Sequence, residues 1–368
     1  MEAPVLGRSA LSGRIPVSVI TGFLGSGKTT LVNKLLKRPD MNKVAVIVNE
    51  LGEQAIDNDL VEVSSEQMML LNNGCLCCVL RGDLQETMRD LFIKRRNGVI
   101  MDFDRLVIET TGLADPAPVM QTLMTDTMLQ SQYRLDCVVT LVDAVNGLEQ
   151  LNTLSEPVKQ AALADRLVIT KTDLVDEAKA AALEAALQKL NPRAPVKRAI
   201  NGEIELAFLI DVALRSMQSR LEDVERWMGP EEHEHDHGHY GKDEHGHSHR
   251  HDTSVISFCL RFKEPFTWAS FSQCMEVLGT LRGADLFRVK GLVNVAGHKG
   301  PLIVQGVQHL FHPPVQLPQW PELSDHATEG LRDSRIVFIT RDISRGEVED
   351  ALRGVRAALA ERGASASV

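Results

Sequence analysis

The chain has 368 residues, of which 43 % are apolar and 24 % charged, and it carries a formal net charge of −10. That length accommodates two domains with separate cores, and the acidic balance argues against non-specific nucleic-acid binding. No apolar run reaches the roughly 18 residues needed to span a bilayer, and residues 1–13 show no apolar stretch ahead of a small-residue cleavage site, so neither membrane insertion nor secretion is expected. Six cysteines are too sparse for a disulfide scaffold, which points to a reducing, cytoplasmic setting where clustered thiols are more often metal ligands or catalytic groups.

After a flexible stretch over residues 1–13, short β-branched runs alternate with helical patterns through residues 14–228. Strands are expected at Val17–Ile20, Val44–Val48, Leu106–Ile108, Val138–Val142 and Leu167–Ile169, with helices over Lys28–Lys37 and Asp83–Arg96. Continuous apolar strands separated by helices predict an α/β domain with a mainly parallel sheet covered on both faces. A helix over Leu206–Met228 ends at Gly229-Pro230. Residues 229–253 have no apolar periodicity and read as a disordered linker rich in histidine. Residues 254–360 then predict a small α+β domain. Its expected strands are Ile256–Phe262, Leu286–Val295, Leu302–Val307 and Ile336–Ile339, and its helices Thr267–Leu281 and Ser344–Ala360. Residues 361–368 form a tail.

The first chemical motif is Gly22-Phe23-Leu24-Gly25-Ser26-Gly27-Lys28-Thr29-Thr30. It fits G-x-x-x-x-G-K-[ST], with an apolar strand before it and a helix-compatible stretch after it. Backbone N–H groups of such a loop surround phosphate oxygens, Lys28 reaches the β- and γ-phosphates, and the Thr29 hydroxyl binds Mg²⁺. Glu109 closes a buried strand, where a carboxylate can hold Mg²⁺ directly or through water; a plain surface carboxylate is the other reading. Gly112 permits backbone approach to the γ-phosphate. Thr170-Lys171-Thr172-Asp173 follows the last strand of the domain. There Asp173 can accept two hydrogen bonds from guanine, which adenine cannot supply, and the Lys171 stem can cover a purine. Many GTPases carry Asn where this chain has Thr170, so the hydroxyl must replace part of the amide's bracing; a salt-bridged loop is the alternative. Glu50 is a candidate for positioning water or linking to Mg²⁺.

The second motif is Cys75-Leu76-Cys77-Cys78, expected in a loop responsive to the nucleotide. Thiolates suit Zn²⁺ and other soft or borderline ions. Three ligands leave one position open, which suits a site that hands its ion on. A redox dithiol and packed inert thiols are the competing readings. A third feature is the run His233, His235, His237, His239, His245, His247, His249 and His251, interleaved with acidic residues. Neutral imidazoles on a flexible segment would collect several ions weakly, unless the segment is only a solvated linker.

Five segments of the first domain resemble the CobW family of P-loop GTPases, metallochaperones related to the urease and hydrogenase nickel-insertion GTPases. They are Ile20–Thr30, Asn49–Gly52, Asn73–Cys78, Glu109–Pro116 and Thr170–Leu174. The second domain is similar through Arg288–Gly291, Gln305–Val307 and Arg335–Ile339. The resemblance implies GTP hydrolysis coupled to delivery of Zn²⁺ or Co²⁺ to a client metalloprotein, with roles for Lys28, Thr29, Glu109, Lys171, Asp173 and the three cysteines. A nucleotide-dependent homodimer is among the expected assemblies. A GTP-binding zinc buffer or sensor, cobalt supply for cobalamin synthesis, and a small-molecule kinase are the alternatives; the last leaves the cysteines unexplained.

Overall fold

The computed structural model describes residues 14–38, 41, 43–48, 61–65, 68–71, 76–79, 83–209, 255–280, 283–320 and 332–365. The centre of the first domain is β1 (Ile15–Gly22), an apolar strand buried almost throughout. It is flanked by β6 (Arg105–Glu109) and β7 (Tyr133–Asp143), both parallel to it. Outward on one side lie β2 (Val44–Val48) and β5 (Leu76–Val79), and on the other β8 (Arg166–Thr170) and β9 (Val196–Ala199), again all parallel. A hairpin of β3 (Val61–Ser65) and β4 (Met68–Leu71) adds an antiparallel edge through β4–β5 pairing, giving the order β3-β4-β5-β2-β6-β1-β7-β8-β9.

The strand period of two divides the apolar residues between two cores. Ile20, Val46 and Val107 face α1 (Lys28–Leu36), packing on Leu31 and Leu35. Their neighbours Ala45, Ile47, Leu106 and Ile108 face the other side, with Met88 and Leu91 of α2 (Leu84–Arg96) and Leu123 of α3 (Ala117–Thr125). α4 (Thr127–Gln132) leads into β7. α5 (Gly147–Thr153), α6 (Ser155–Leu163) and α7 (Glu177–Leu190) cover the β7–β8 half, and α8 (Leu206–Leu209) follows β9.

The second domain is an antiparallel sheet of β10 (Val255–Phe262), β15 (Ser334–Arg341), β11 (Leu286–Val293), β12 (Leu302–Val307) and β13 (Leu310–Phe311), with β14 (Val315–Gln316) beside β12. α9 (Trp268–Thr280) and α10 (Arg345–Ser365) cover one face, where Phe262, Phe271, Val289, Phe338 and Leu352 form a core. The other face closes on the first domain. Phe287, Val307 and Ile339 pack there with Met120, Met124, Ala162 and Leu163. A register shift between Leu286 and Arg288 lets Phe287 and Arg288 serve the same face. Arg288 and Lys290 then reach Asp165, which lies largely covered between the domains.

The strands expected between Val17 and Ile169 all form, as do those between Ile256 and Ile339. One local expectation is corrected: Leu76 to Cys78 lie on strand β5 and not in a loop, because their backbone pairs in parallel with Ala45 to Ile47 and antiparallel with Met68 to Leu70. Of the helix expected over Leu206–Met228, only Leu206–Leu209 falls in the described residues, and the histidine linker lies outside them. Among the described residues no helix is long and apolar enough to cross a membrane.

Candidate nucleotide and metal site

The glycine loop sits at the carboxyl end of central β1 and runs directly into α1, as the strand–loop–helix pattern requires. Gly22 has φ 144°, and a Cβ there would lie 2.3 Å from the Leu141 carbonyl oxygen, so no other residue fits the exit from β1. Gly25 and Gly27 continue the loop, and Gly27 caps α1. Lys28 is buried and its Nζ donates to the carbonyls of Gly22 (2.8 Å) and Phe23 (3.1 Å). Thr29 and Thr30 are exposed at the start of α1.

The Thr29 hydroxyl donates to Glu109 Oε1 at 3.0 Å, across the sheet from α1 to the end of β6. Glu109 is 5 % exposed, and its Oε2 has no hydrogen-bond partner among the described residues. Burial pushes its pKa up, opposed by the Thr29 hydrogen bond and the Lys28 charge. A hydroxyl beside a carboxylate with one buried, unmet oxygen is a donor set suited to a hard divalent cation such as Mg²⁺. Gly112 follows on the loop after β6. A Cβ on it would come 2.6 Å from the Leu24 side chain and 2.7 Å from the Leu24 backbone nitrogen, so this loop lies flush against the phosphate loop.

Thr170 supplies the bracing that its replacement of Asn put in question. Its hydroxyl donates to the Ser26 carbonyl at 2.8 Å, tying the end of β8 to the phosphate loop. Lys171 has φ 57°, a left-handed conformation uncommon for a side chain of its size, and its Nζ donates to Asp143 Oδ2 at 2.9 Å. Asp173 is exposed in the short 3₁₀ turn Thr172–Leu174.

Asp143, missed in the sequence, is 2 % exposed and also accepts from the Val145 N–H and the Asn146 amide. Its signal was available: like Glu109, it is an acid closing a buried parallel strand. Gln160 of α6, also missed, is buried and donates from Nε2 to the carbonyls of Gly112 (3.1 Å) and Ala114 (3.0 Å). A lone glutamine in a helical pattern carries no such signal.

Cys77 and Cys78 stand on β5, opposite Val46 and Ile47 of β2, which in turn pairs Ile47 with Ile108 and Val48 with Glu109 on β6. β5 is therefore two strand spacings, roughly 10 Å, from the strand that ends in Glu109. Glu50, Cys75, His233, His235, His237, His239, His245, His247, His249 and His251 lie outside the described residues, as do the side chains of Cys77 and Cys78. Among the described residues no group of three or more His, Cys, Asp or Glu could hold a metal ion.

Residues 16–198 match the CobW/HypB/UreG nucleotide-binding domain, and residues 255–356 the cobalamin synthesis protein CobW C-terminal domain. The zinc chaperone YjiA of Escherichia coli is 34 % identical over 343 residues, 93 % of this chain and 99 % of that protein. The zinc chaperone CobW of a Sinorhizobium species is 29 % identical over 335 residues, 81 % of this chain and 86 % of that protein. The zinc-regulated GTPase metalloprotein activator 1 of Saccharomyces cerevisiae is 27 % identical over 371 residues, 92 % of this chain and 83 % of that protein. The crystal structure of Zn(II)-bound YjiA GTPase superposes with a TM-score of 0.69 at 32 % identity, covering 94 % of this chain and 99 % of that one. With both domain models matched in order, the phosphate loop braced as described and a relative aligned over nearly the whole length, the chain belongs to the CobW/HypB/UreG family, as one of its GTPases with the CobW C-terminal domain.

Proposed function

We propose that this GTPase is a zinc metallochaperone that couples GTP hydrolysis to delivery of Zn²⁺ to a client metalloprotein in the cytoplasm. The observation that carries this reading is the sheet register joining the cysteine strand β5, through β2, to the strand that ends in Glu109. The zinc-chaperone names of two relatives aligned over most of the chain support the choice of metal. The name of the yeast relative, a metalloprotein activator, supports a metalloprotein client.

In this reading Lys28 exchanges the Gly22 and Phe23 carbonyls for phosphate oxygens, neutralising charge that builds on the β–γ bridge. Thr29 and Glu109 hold Mg²⁺, which neutralises and orients the phosphates when bound. Lys171, anchored on Asp143, and Asp173 bind the guanine. Glu50 is assigned to water positioning, and Gly112 to backbone contact with the γ-phosphate. Cys75, Cys77 and Cys78 take Zn²⁺ as cargo, and the histidine run from His233 to His251 supplies further weak sites. The exposed side chains of Leu24 and Leu113, on the two loops that meet at Gly112, favour a homodimer closing over the nucleotide face; sedimentation with GDP and with a GTP analogue measures it.

The decisive experiment is Zn²⁺ affinity at buffered free metal, in the GDP form and with a non-hydrolysable GTP analogue, for the native chain and for a Cys75/Cys77/Cys78→Ser variant. The reading expects tighter binding with the analogue, lost in the variant. Equal affinities in the two nucleotide forms would overturn the coupling.

A further inference from the structure

We propose that Gln160 is a positioning residue of the GTPase site, and that α6, which carries it, makes the Gly112 loop and the C-terminal sheet respond to the nucleotide together. The inference rests on nucleotide hydrolysis alone and does not depend on zinc delivery.

The side chain lies in a dry setting, 1 % exposed, between two carbonyls of the loop that follows Glu109. Both partners are carbonyl oxygens, which settles the orientation of the amide: Nε2 faces the loop. By holding the Gly112 and Ala114 carbonyls, it orients the peptide planes around the glycine packed against Leu24 of the phosphate loop. The Gln160 backbone carbonyl in turn accepts from the Thr140 hydroxyl of β7 at 2.8 Å, so the helix turn carrying it is fixed to the central sheet. Its Oε1 has no partner among the described residues. A buried, unmet acceptor beside a loop that must approach a γ-phosphate leaves a second arrangement of that loop open to satisfaction, which is what a two-position element needs.

The same helix touches the other domain through its C-terminal half. Lys159 is ion-paired to Asp115 of the loop, and its ammonium lies 5.7 Å from the ring centre of Phe287 on β11. Ala162 and Leu163 pack with Phe287, Val307 and Ile339. Just past its end, Asp165 pairs with Arg288, at 3.0 and 3.2 Å, and with Lys290. One rigid element thus grips the loop with Gln160 and Lys159 and the C-terminal sheet with Lys159, Leu163 and the Asp165 junction. A shift of the loop on nucleotide exchange displaces α6 against β11 rather than being absorbed locally.

The test uses the full chain and the variant Gln160→Met, which keeps the volume and removes both donors. GDP affinity should stay within about threefold, because GDP lacks the phosphate that the loop meets. The kcat for GTP should fall by about tenfold or more as the loop loses its position. Hydrogen exchange over Leu286–Val293 should differ between GDP and GTP-analogue forms in the native chain, and this difference should vanish in the variant. A kcat within about twofold of native, or an exchange difference that persists, would overturn the proposal. So would a native chain whose β11 exchange ignores the nucleotide while GTP is still hydrolysed. If Gln160→Met fails to bind GDP, Lys159→Met carries the test at a more accessible position. It should shrink the nucleotide-dependent exchange difference, and an unchanged difference would again overturn the coupling.

Discussion

Thr170 shows how one hydroxyl substitutes for a larger amide. At the end of a buried strand it needs only to reach the Ser26 carbonyl, and at 2.8 Å it does so without the bulk of Asn. Removing the hydroxyl while keeping the shape, in Thr170→Val, strands a carbonyl of the phosphate loop. The expected cost is about 1–2 kcal/mol of stability, with weaker nucleotide binding, read from denaturant unfolding of the nucleotide-free chain and from titration with GDP. Unchanged values for both would mean that the bond is incidental. Glu109 and Asp143 obey one rule: each is an acid closing an apolar parallel strand, where the sheet ends and ligands bind. Glu109 was recognised from the chain because Gly112 and the phosphate loop gave it a context. Asp143 was passed over, since its partner Lys171 lies 28 residues on and becomes its neighbour only through β7–β8 pairing.

Among elements, the loop between β6 and α3 is tightly constrained by its surroundings. Its glycine leaves no room for a methyl group against Leu24, whose backbone would itself be struck. Gly112→Ala should therefore push the loop off the phosphate loop. A loss of GTP turnover of about a hundredfold is expected, with a smaller effect on the unfolding midpoint, because the disturbance is confined to the contact between two loops. Parallel kinetics and thermal denaturation check this, and normal turnover would show that the loops separate freely. The strand β5 illustrates the opposite difficulty. Leu76-Cys77-Cys78-Val79 is short, and Asn72-Asn73-Gly74 before it looks like a turn, so a loop was the natural expectation. Pairing on both sides, with β2 and β4, turns it into a strand, and the β2 half of that pairing comes from residues 31 positions away.

For the whole molecule, the domain junction holds a cluster of charges largely removed from water. Burial pushes Asp165 up, but the charges of Arg288 and Lys290 and the hydrogen bonds from Lys290 and the Val138 N–H outweigh it and hold it at about 2, against 3.8 normally. The folded chain thus binds that proton more weakly than the unfolded one. The stabilisation is present above about pH 4 and is lost as pH falls through about 2. His312 is held down to about 4 by burial and by the charges of Arg288 and Arg14, against 6.5 normally. Its unfolded form takes up a proton first, so stability should also decline as pH falls from about 6.5 towards 4. Chemical denaturation across pH 8 to 3 should show the decline beginning below about 6.5, and a flat profile between pH 7 and 4 would contradict it. Asp165→Asn should cost about 3 kcal/mol near neutrality, because buried Arg288 and half-buried Lys290 lose the carboxylate that balances them. The same denaturation series measures that loss and should show the step below pH 4 removed.

Local chemistry was readable from the chain alone: a glycine loop between an apolar strand and a helix, acids at strand ends, thiols crowded into four positions, and two blocks of differing periodicity. Each depends on residues close in sequence, where spacing dictates geometry. The remainder depended on chain segments meeting at a distance. The bulge that turns Phe287 and Arg288 to one face, the pairing of Asp165 with Arg288 between domains, the Asp143–Lys171 contact and the grip of Gln160 on Gly112 each join residues brought together by strand order and helix packing. Periodicity shows that a helix such as α6 has a buried face; only the assembled sheets decide which carbonyls and which domain that face meets.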